Sequence, residues 1–420
     1  MSRTTGRNPL LVILAALLFE FTPKPVDQSA TAPRTGTLSL PIVSTKTAMA
    51  PSSHAAQKNA YGENVSNIFP RPAGLESQID FWRKVYGAWG RCQVVFHDNR
   101  HLDLVYEVLT LPGDNAENDT TAQQEWIKQR KAFWEDRLRQ LETKLTDKIA
   151  LNTEDQQLVA QIVHRDAAGS ALKGIGDRVR VQRGLKERFK RGLEISGRYE
   201  RAMRARFAEA GLPADLALLP HVESSFQSNA RSSVGALGIW QFTRSTAMTF
   251  MHVDGARDER LDPLASARGA ARYLDHAYKK LGAWPLALTS YNHGIAGMLR
   301  AKNRYGDDFD RIVREYEHPQ FGFASRNFYS EFLAAVDVAS EPLKYFPEGV
   351  NYEPPVSLDW VILTEPMRVS ALAQTYHIDK WQLGTLNPAW SDHAKMDQIP
   401  LPAGSEIWLP AGTLQSPVKK

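Results

Sequence analysis

The chain alternates between stretches with a helical spacing of apolar residues and short stretches rich in Pro, Gly or Ser. Helical spacing runs from Leu75 to Cys92 and again over 121–146, while QVVFHD and LDLVYEVLTL between them have the composition of strands. From Arg178 to Phe207 apolar residues recur near the helical period, with arginine and lysine on the other faces. We therefore predict a basic helix there, either a solvated face or a contact for an anionic polymer or lipid.

The second half of the chain is predicted to be almost entirely helical. Gly211 and Pro213 interrupt the pattern and restart it, and helical segments with short connections then run to about Pro347. A linker rich in Pro and Gly over 347–357 leads to a short strand, two brief helices and a returning strand, a βααβ unit over 358–412. We find no internal repeat of fixed period in the sequence, which excludes solenoids and propellers.

Residues 1–25 have the pattern of a signal peptide or an N-terminal anchor. Arg3 and Arg7 precede an apolar run from Leu10 to Leu18, which is too short for a full membrane span. Residues 26–67 are rich in Ser, Thr, Ala and Pro without periodicity, which predicts a flexible linker. We therefore predict an exported protein, and whether the leader is removed stays open.

Composition narrows the function classes only modestly. The 420 residues favour two or three domains, and the net charge of +4 gives no indication of nucleic-acid binding. The single cysteine, Cys92, allows no internal disulfide and is expected in the core. Ten tryptophans and thirteen tyrosines suit a groove for sugars, although core packing is the commoner use of such rings.

One carboxylate stands out in the stretch LLPHVESSFQSNARSSVGALGIWQF. Leu216, Leu219 and Glu223 fall on one side of the predicted helix, so Glu223 shares the apolar face. Loss of hydration raises the pKa of a carboxyl group, which suits a general acid that later serves as a base. The structural alternative is an ion pair with Arg231 or a cap on a backbone amide.

The residues after Glu223 complete a set of motifs that resembles the SLT domain of lytic transglycosylases. The motifs are ES at Glu223, GALGIWQF, RLDP from Arg260, and LALTSYNHG, and they stand in the family's order. The resemblance is closest to the membrane-bound lytic murein transglycosylase D type and covers about 212–335. It implies a mainly α, lysozyme-like catalytic domain of the goose-type kind over 208–346, after an N-terminal mainly helical region over 68–207.

The resemblance also implies a role for each residue that matches a motif. Glu223 would be the single general acid and base, and the Ser232 hydroxyl would position it or the substrate. Gln241 would bind the glycan, Tyr291 would hydrogen bond to the glutamate, and Asn292 would contact the sugar. The chain departs from the family pattern at Ser290 and His293, and its late signature is ASRNFYSEF, with alanine at the position of the usual acid.

The reaction implied by the resemblance needs one carboxylate rather than two. Ordinary glycosidases use a pair, about 5 Å apart when retaining and about 6.5 to 9.5 Å apart when inverting. No acid follows Glu223 until Asp254, so we expect Glu223 to act alone. In the family the 6-hydroxyl of N-acetylmuramic acid attacks its own anomeric carbon, giving a 1,6-anhydro sugar. A hydrolytic muramidase on the same fold and a noncatalytic peptidoglycan-binding scaffold are the alternatives.

The unit over 358–412 resembles a LysM module in its LAQTYHI, LGTLNPAW and LPAGSEIWLP segments. LysM modules bind N-acetylglucosamine chains, and Leu386 to Pro388 would then help to form the binding edge. The usual opening turn is missing from DWVILTEPMRV, and a purely structural cap is the alternative.

We predict no cofactor and no metal. HVE at His221 is similar to part of the zinc deaminase signature, but that chemistry needs a later pair of cysteines. The expected partners are peptidoglycan glycan strands and, through the N-terminus, a membrane, with no nucleic acid. We predict a monomer in the cell envelope, in the periplasm or at the periplasmic face of a membrane.

Overall fold

A computed structural model of the protein describes residues 68–113, 119–163 and 172–414. The predicted leader over 1–25 and the predicted linker over 26–67 lie outside the described residues. The prediction of a mainly helical fold is confirmed, since 56% of the residues that the structure describes are helical. None of the helices within the described ranges combines the length and the apolar character that a membrane crossing requires.

The N-terminal region packs helices around a small antiparallel sheet. Its elements are α1 (Glu76–Gly87), β1 (Gln93–Asp98), β2 (Val105–Thr110), α2 (Thr121–Thr146), α3 (Thr153–Val163) and β3 (Val179–Arg183). The strands lie in the order β2, β1, β3, with β1 in the centre. Helix α2 begins at Thr121 because the Thr120 hydroxyl accepts from the backbone N–H of Gln123, which satisfies an amide with no partner inside the helix. Cys92 is only partly buried, so its predicted place in the core is wrong.

The predicted continuous basic helix from Arg178 to Phe207 is wrong. The segment divides into β3, α4 (Lys186–Ser196) and α5 (Glu200–Glu209). The run VRVQR alternates apolar and polar residues, and pairing with β1 satisfies its backbone in a way that an isolated turn of helix could not. The helix breaks at Gly197, where a Cβ would lie 2.4 Å from the carbonyl oxygen of Glu353.

The central region is an assembly of helices with short connections. Its helices are α6 (Leu219–Glu223), α7 (Arg244–Phe250), α8 (Pro263–Leu281), α9 (Trp284–His293), α10 (Ile295–Tyr305), α11 (Phe309–Glu315), α12 (Phe323–Ser340) and α13 (Pro342–Tyr345). Helix α8 begins at the Asp262 cap and ends at Gly282, which has the left-handed conformation that favours glycine. Helix α12 packs against α1, α6 and α9, so it joins the N-terminal region to the central one. A single hydrophobic cluster therefore runs through both regions, from Ile68 to Val338 and beyond.

The C-terminal region forms a smaller unit with its own core. It comprises β4 (Leu358–Ile362), α14 (Val369–Tyr376), α15 (Lys380–Leu386), α16 (Asp392–Lys395) and β5 (Glu406–Pro410). Strands β4 and β5 pair antiparallel, and the short helix α16 is an addition to the predicted βααβ order. Trp408 of β5 belongs to the main hydrophobic cluster rather than to the unit's own core. The unit is thus packed against the central region.

Candidate active site

Glu223 is the last residue of a short buried helix. A 3₁₀ turn from Ala214 to Leu218 leads into α6, and the backbone changes hand immediately afterwards. Ser225 and Phe226 have φ values of 53° and 58°, a left-handed conformation that costs about 1–2 kcal/mol for each non-glycine residue. Phe226 is fully buried, and its packing offsets that cost. Strained backbone of this kind concentrates at functional sites, and here it fixes the point at which α6 ends.

The carboxyl group of Glu223 is held without a partner. The side chain is half-buried, and within the described ranges it makes no hydrogen bond or ion pair. Burial raises its pKa to about 8, and repulsion from Glu331 contributes in the same direction. The ion pair with Arg231, which was the structural alternative, is therefore not formed.

A second carboxylate, which the sequence analysis missed, lies close enough to Glu223 to act on it electrostatically. Glu331 belongs to α12, which packs against α6, and only 9% of the residue is exposed. Burial raises its pKa to about 8, and the guanidinium of Arg180 opposes that shift. The sequence analysis did not foresee Glu331, because it considered only distance along the sequence, and the action of Glu223 as the single general acid and base stays a prediction. Glu331 stands in the apolar run NFYSEFLAA, so the criterion that singled out Glu223 would have found it.

The N-terminal region covers this pair of carboxylates. The pKa of the buried Tyr86 hydroxyl in α1 is raised by burial and then by the charges of Glu331 and Glu223. Arg188 of α4 donates from Nε to the Ser225 hydroxyl over 3.2 Å, next to the turn that ends α6. The neighbourhood of Glu223 therefore includes side chains from α1 and α4, far away in sequence.

Ser232 and Gln241 use their polar groups on the loop that contains them. The Ser232 hydroxyl accepts a hydrogen bond from the backbone N–H of Ala236 at 3.0 Å. The amide of Gln241 is buried and donates to the carbonyl oxygens of Ala230 at 3.2 Å and Gly238 at 2.8 Å. Both side chains hold the loop that follows Glu223, and their contacts with substrate stay predictions.

Tyr291 and Asn292 lie at the end of α9, on the same side as this loop. The predicted hydrogen bond from Tyr291 to Glu223 is not formed, because the Tyr291 hydroxyl donates to the carbonyl of Trp240 at 2.8 Å. Its pKa is nevertheless raised by the charge of Glu223, after the larger effect of burial, so the two groups are neighbours. Asn292 is buried, and its Oδ1 accepts from the Ser325 hydroxyl at 2.7 Å.

The RLDP motif also bonds to the loop that follows Glu223. Arg260 is 4% exposed and binds Asp258 through two parallel hydrogen bonds of 2.9 and 2.7 Å. Its remaining guanidinium nitrogen donates to the carbonyl oxygens of Gly235 and Phe242. Gly238 packs so closely on this motif that a Cβ would lie 1.9 Å from the Arg260 carbonyl oxygen. That contact explains the second glycine of GALG.

The predicted LysM edge lies against the central region. Asn387 is 1% exposed, donates to the carbonyls of Leu383 and Trp408, and accepts from the Trp408 N–H. Two residues later, the carbonyl of Ala389 accepts from the backbone N–H of Asp258 at 2.7 Å. Leu386 packs on the main hydrophobic cluster. Leu386 and Pro388 remain partly exposed, and the glycan-binding edge from Leu386 to Pro388 stays a prediction.

His221, whose HVE run is similar to part of a zinc motif, lies two residues before Glu223. Within the part of the chain that the structure describes, no three His, Cys, Asp or Glu side chains come together in a group that could hold an ion. His221 is buried and stacked on the ring of Phe189 at 4.8 Å, and burial lowers its pKa to about 3. It is a neutral packing residue beside Glu223.

Known proteins resemble the segment that contains these motifs. The Transglycosylase SLT domain family matches residues 204–312. A putative tributyltin chloride resistance protein of Alteromonas sp. (strain M-1) is 36% identical over 142 residues, which cover 33% of this chain and 67% of that protein. The membrane-bound lytic murein transglycosylase D of Escherichia coli K12 is 27% identical over 179 residues, 42% of this chain and 39% of that protein.

Two further proteins that are similar to this chain are also named as lytic transglycosylases. The membrane-bound lytic murein transglycosylase F 2 of Alkalilimnicola ehrlichii is 38% identical over 177 residues, 37% of this chain and 38% of that protein. A solved structure of an inactive mutant of lytic transglycosylase Slt from Pseudomonas aeruginosa matches with a TM-score of 0.28 and 22% identity, over 37% of this chain and 25% of that one. The matched segments thus span about two thirds of the Alteromonas protein and under two fifths of the named transglycosylases D and F 2. On the motifs, the domain match and these relatives together, the chain belongs to the family of SLT-domain lytic transglycosylases.

Proposed function

We propose that this protein is a peptidoglycan lytic transglycosylase. It cleaves the β-1,4 bond between N-acetylmuramic acid and N-acetylglucosamine without water and leaves 1,6-anhydromuramic acid ends. The observation that carries the proposal is the state of Glu223, a half-buried carboxyl group inside the SLT match that makes no hydrogen bond or ion pair within the described ranges. A pKa of about 8 keeps this group protonated at neutral pH, as a general acid requires.

The proposed reaction has two proton transfers, both at Glu223. Its carboxyl proton passes to the glycosidic oxygen as the bond from that oxygen to the anomeric carbon breaks, and the bonding electron pair leaves with the oxygen. The 6-hydroxyl oxygen of the same muramic acid then bonds to the anomeric carbon, and its proton passes to the Glu223 carboxylate. The enzyme ends in its starting state, and no water is consumed.

Residues of the surrounding loop position the reacting groups in this proposal. Ser232 and Gln241 fix the loop after Glu223, Tyr291 supports it through the Trp240 carbonyl, and Asn292 contacts the sugar. Glycan strands of the cell envelope are the proposed partner, at the periplasmic face of a membrane. The unit over 358–412 supports the catalytic domain, and any glycan binding by it would use the partly exposed edge from Leu386 to Pro388.

A hydrolytic muramidase is the second candidate, and the presence of Glu331 favours it. A second carboxylate near the acid is what a glycosidase needs to activate water. The two candidates predict different products from the same bond: a hydrolase leaves reducing muramic acid ends, whereas a transglycosylase leaves anhydro ends.

The test is mass spectrometry of the fragments that the purified full chain releases from peptidoglycan sacculi. We expect muropeptides with 1,6-anhydro ends, each lighter by one water than its reducing counterpart. Reducing ends would establish the hydrolase instead, and no release would leave a noncatalytic scaffold. Incubation in water enriched in ¹⁸O is the matched control, since only a hydrolase incorporates the label into the new end.

A further inference from the structure

Two consecutive residues at the end of α9 are bonded to the chain around the start of α12. The Ser325 hydroxyl donates to Asn292 Oδ1 at 2.7 Å, and His293 Nδ1 lies 3.1 Å from the carbonyl oxygen of Gln320. The two helices pack against each other, and Asn292 and Ser325 are both buried. Helix α12 lies beyond the segment 204–312 that matches the SLT family, so that match does not account for these bonds.

The bond from Ser325 fixes the orientation of the Asn292 amide. An asparagine amide has an acceptor oxygen at one end and a donor NH₂ at the other, and either end can face a serine hydroxyl. The other acceptor near this hydroxyl, among the described residues, is the carbonyl oxygen of Gln320 at 3.5 Å, the limit of a hydrogen bond. With the amide turned round, the Ser325 proton would depend on that long contact. Ser325 therefore holds the oxygen end, and the NH₂ end is directed away from it.

The imidazole of His293 holds the segment that leads into α12. A carbonyl oxygen can only accept, so Nδ1 carries the hydrogen and donates it to Gln320. Burial lowers the pKa of His293 to about 4, so the ring is neutral at neutral pH. The ring meets Phe321 edge to face at 5.0 Å, and a Cβ on Gly297 would lie 2.4 Å from His293 Cδ2. Gly297 therefore leaves the space that the ring occupies.

We infer that Ser325 and His293 are positioning residues for Asn292, which together present the donor end of its amide to an acceptor oxygen of the glycan. The inference rests on the proposed function, in which Asn292 contacts the sugar. Ser325 is 3% exposed and its proton is engaged by Asn292, so it acts on the substrate through that residue. The signature ASRNFYSEF thus has a role in the site even with alanine at the position of the usual acid.

The test is a double-mutant cycle in the full chain, with release from sacculi as the readout. Ser325→Ala should raise the substrate concentration at half-maximal rate by about tenfold, because the Asn292 amide can then turn its acceptor end to the sugar. The maximal rate should stay within about twofold of wild type, because the proton transfers at Glu223 are unaffected. In an Asn292→Ala background, Ser325→Ala should cause no further change in activity, because the group that it positions is already absent.

Three further variants separate positioning from a structural role. Ser325→Thr keeps the hydroxyl and should return the half-maximal concentration toward its wild-type value. Ser330→Ala removes another buried hydroxyl of α12, one that donates to Gln78 Oε1 at 3.2 Å, and should leave the activity unchanged. His293→Phe keeps a ring but not the Nδ1 donor, and should raise the half-maximal concentration by about threefold, since the bond that it loses is one step further from Asn292.

Several outcomes would overturn the inference. These are an unchanged half-maximal concentration in Ser325→Ala, losses in Ser325→Ala and Asn292→Ala that simply add, and a Ser325→Thr variant as impaired as Ser325→Ala. Circular dichroism establishes that each variant is folded. If Ser325→Ala does not fold, Ser325→Cys takes its place in the cycle, since the thiol is of similar size and is only a weak donor.

The inference and the proposed function fail in distinguishable ways. Anhydro products from the wild type, with losses that add in the double variant, would overturn only the inference. Reducing products would overturn the transglycosylase, and the same cycle would still decide the inference, because a muramidase binds the same glycan. If the wild type releases nothing, cosedimentation with sacculi replaces the rate in the cycle. A wild type that neither releases nor binds glycan would overturn both.

Discussion

The segment matched by the SLT family and the segments that flank it contribute to one site in different ways. Inside 204–312, the polar motif residues Ser232, Gln241 and Arg260 bond to backbone groups of one loop. Outside it, Glu331 and Arg180 act on the acid or on each other through charge alone. The motifs thus build the support for Glu223, while the flanks set how tightly it holds its proton.

This division explains why a domain match alone describes the site incompletely. The matched segment contains Glu223 but neither Glu331 nor Arg180. Helix α12 connects them, because it packs against α6 from the central region and α1 from the N-terminal region. Substitutions in the matched segment should therefore alter rate or stability.

The largest expected effect is on the reacting group itself. Glu223→Gln keeps the shape of the side chain but supplies neither the proton nor the base, so the rate of release from sacculi should fall by about 10³-fold. Glu209→Gln, at the exposed end of α5, is the matched control and should retain full activity. Circular dichroism should be unchanged in both. Undiminished turnover by the Glu223 variant would show that Glu223 is not the reacting group, which contradicts the comparison between the matched segment and its flanks.

The sequence predicted the helical elements and the acid well, since these depend on local periodicity. The range 121–146 and the strand EIWLP coincide with α2 and β5, and Glu223 ends a buried helix. The same periodicity misassigned β3, because its five residues are stabilised by pairing with β1 rather than by their own pattern. Strand pairing depends on distant partners, which a local pattern does not contain.

The site was predicted less completely than the fold for a related reason. The approach of Glu331 to Glu223 depends on the packing of α12 against α6, which sequence spacing does not indicate. The burial of Asn387 was not foreseen, because its side chain bonds to the backbone of Leu383 and Trp408 inside its own unit. Tyr291 was placed near Glu223, but its hydroxyl partner is a backbone carbonyl. The type of a residue does not indicate whether its side chain will hydrogen bond to a backbone group.

The next largest effect concerns the loop support inside the matched segment. Gly238→Ala places a Cβ 1.9 Å from the Arg260 carbonyl oxygen and also strains a φ of 74°. We expect it to lower the free energy of unfolding by about 3 kcal/mol or more, as the sum of overpacking and left-handed strain. Gly235→Ala has a similar φ of 80° but open space, and should cost about 1 kcal/mol. Urea unfolding measures both, and equal losses would show that Gly238 is not a packing position.

A smaller effect should show whether the C-terminal unit is packed against the central region or is only a loosely tethered module. The indole N–H of Trp408 donates to Asp262 Oδ2, the residue that caps α8. Trp408→Phe removes this hydrogen bond to a carboxylate and should lower the free energy of unfolding of the whole protein by about 2 kcal/mol. Trp381→Phe, at a side chain that is 70% exposed, should cost less than about 0.5 kcal/mol. A separate early transition of the C-terminal unit in calorimetry, with the rest unaffected, would contradict the packed arrangement.

The smallest effect tests whether loop support matters for the reaction as well as for stability. Tyr291→Phe loses the hydrogen bond to the Trp240 carbonyl, and Tyr305→Phe loses a similar bond of 3.0 Å to the Glu315 carbonyl, away from the site. Both should lower the free energy of unfolding by about 1 kcal/mol. Only Tyr291→Phe should also slow release from sacculi, by about tenfold, because Trp240 belongs to the loop that positions Glu223 and small displacements there are costly. Equal activity in the two variants would mean that the motif tyrosine supports the fold alone, and the functional part of the comparison would then rest on Glu223 and its charged neighbours.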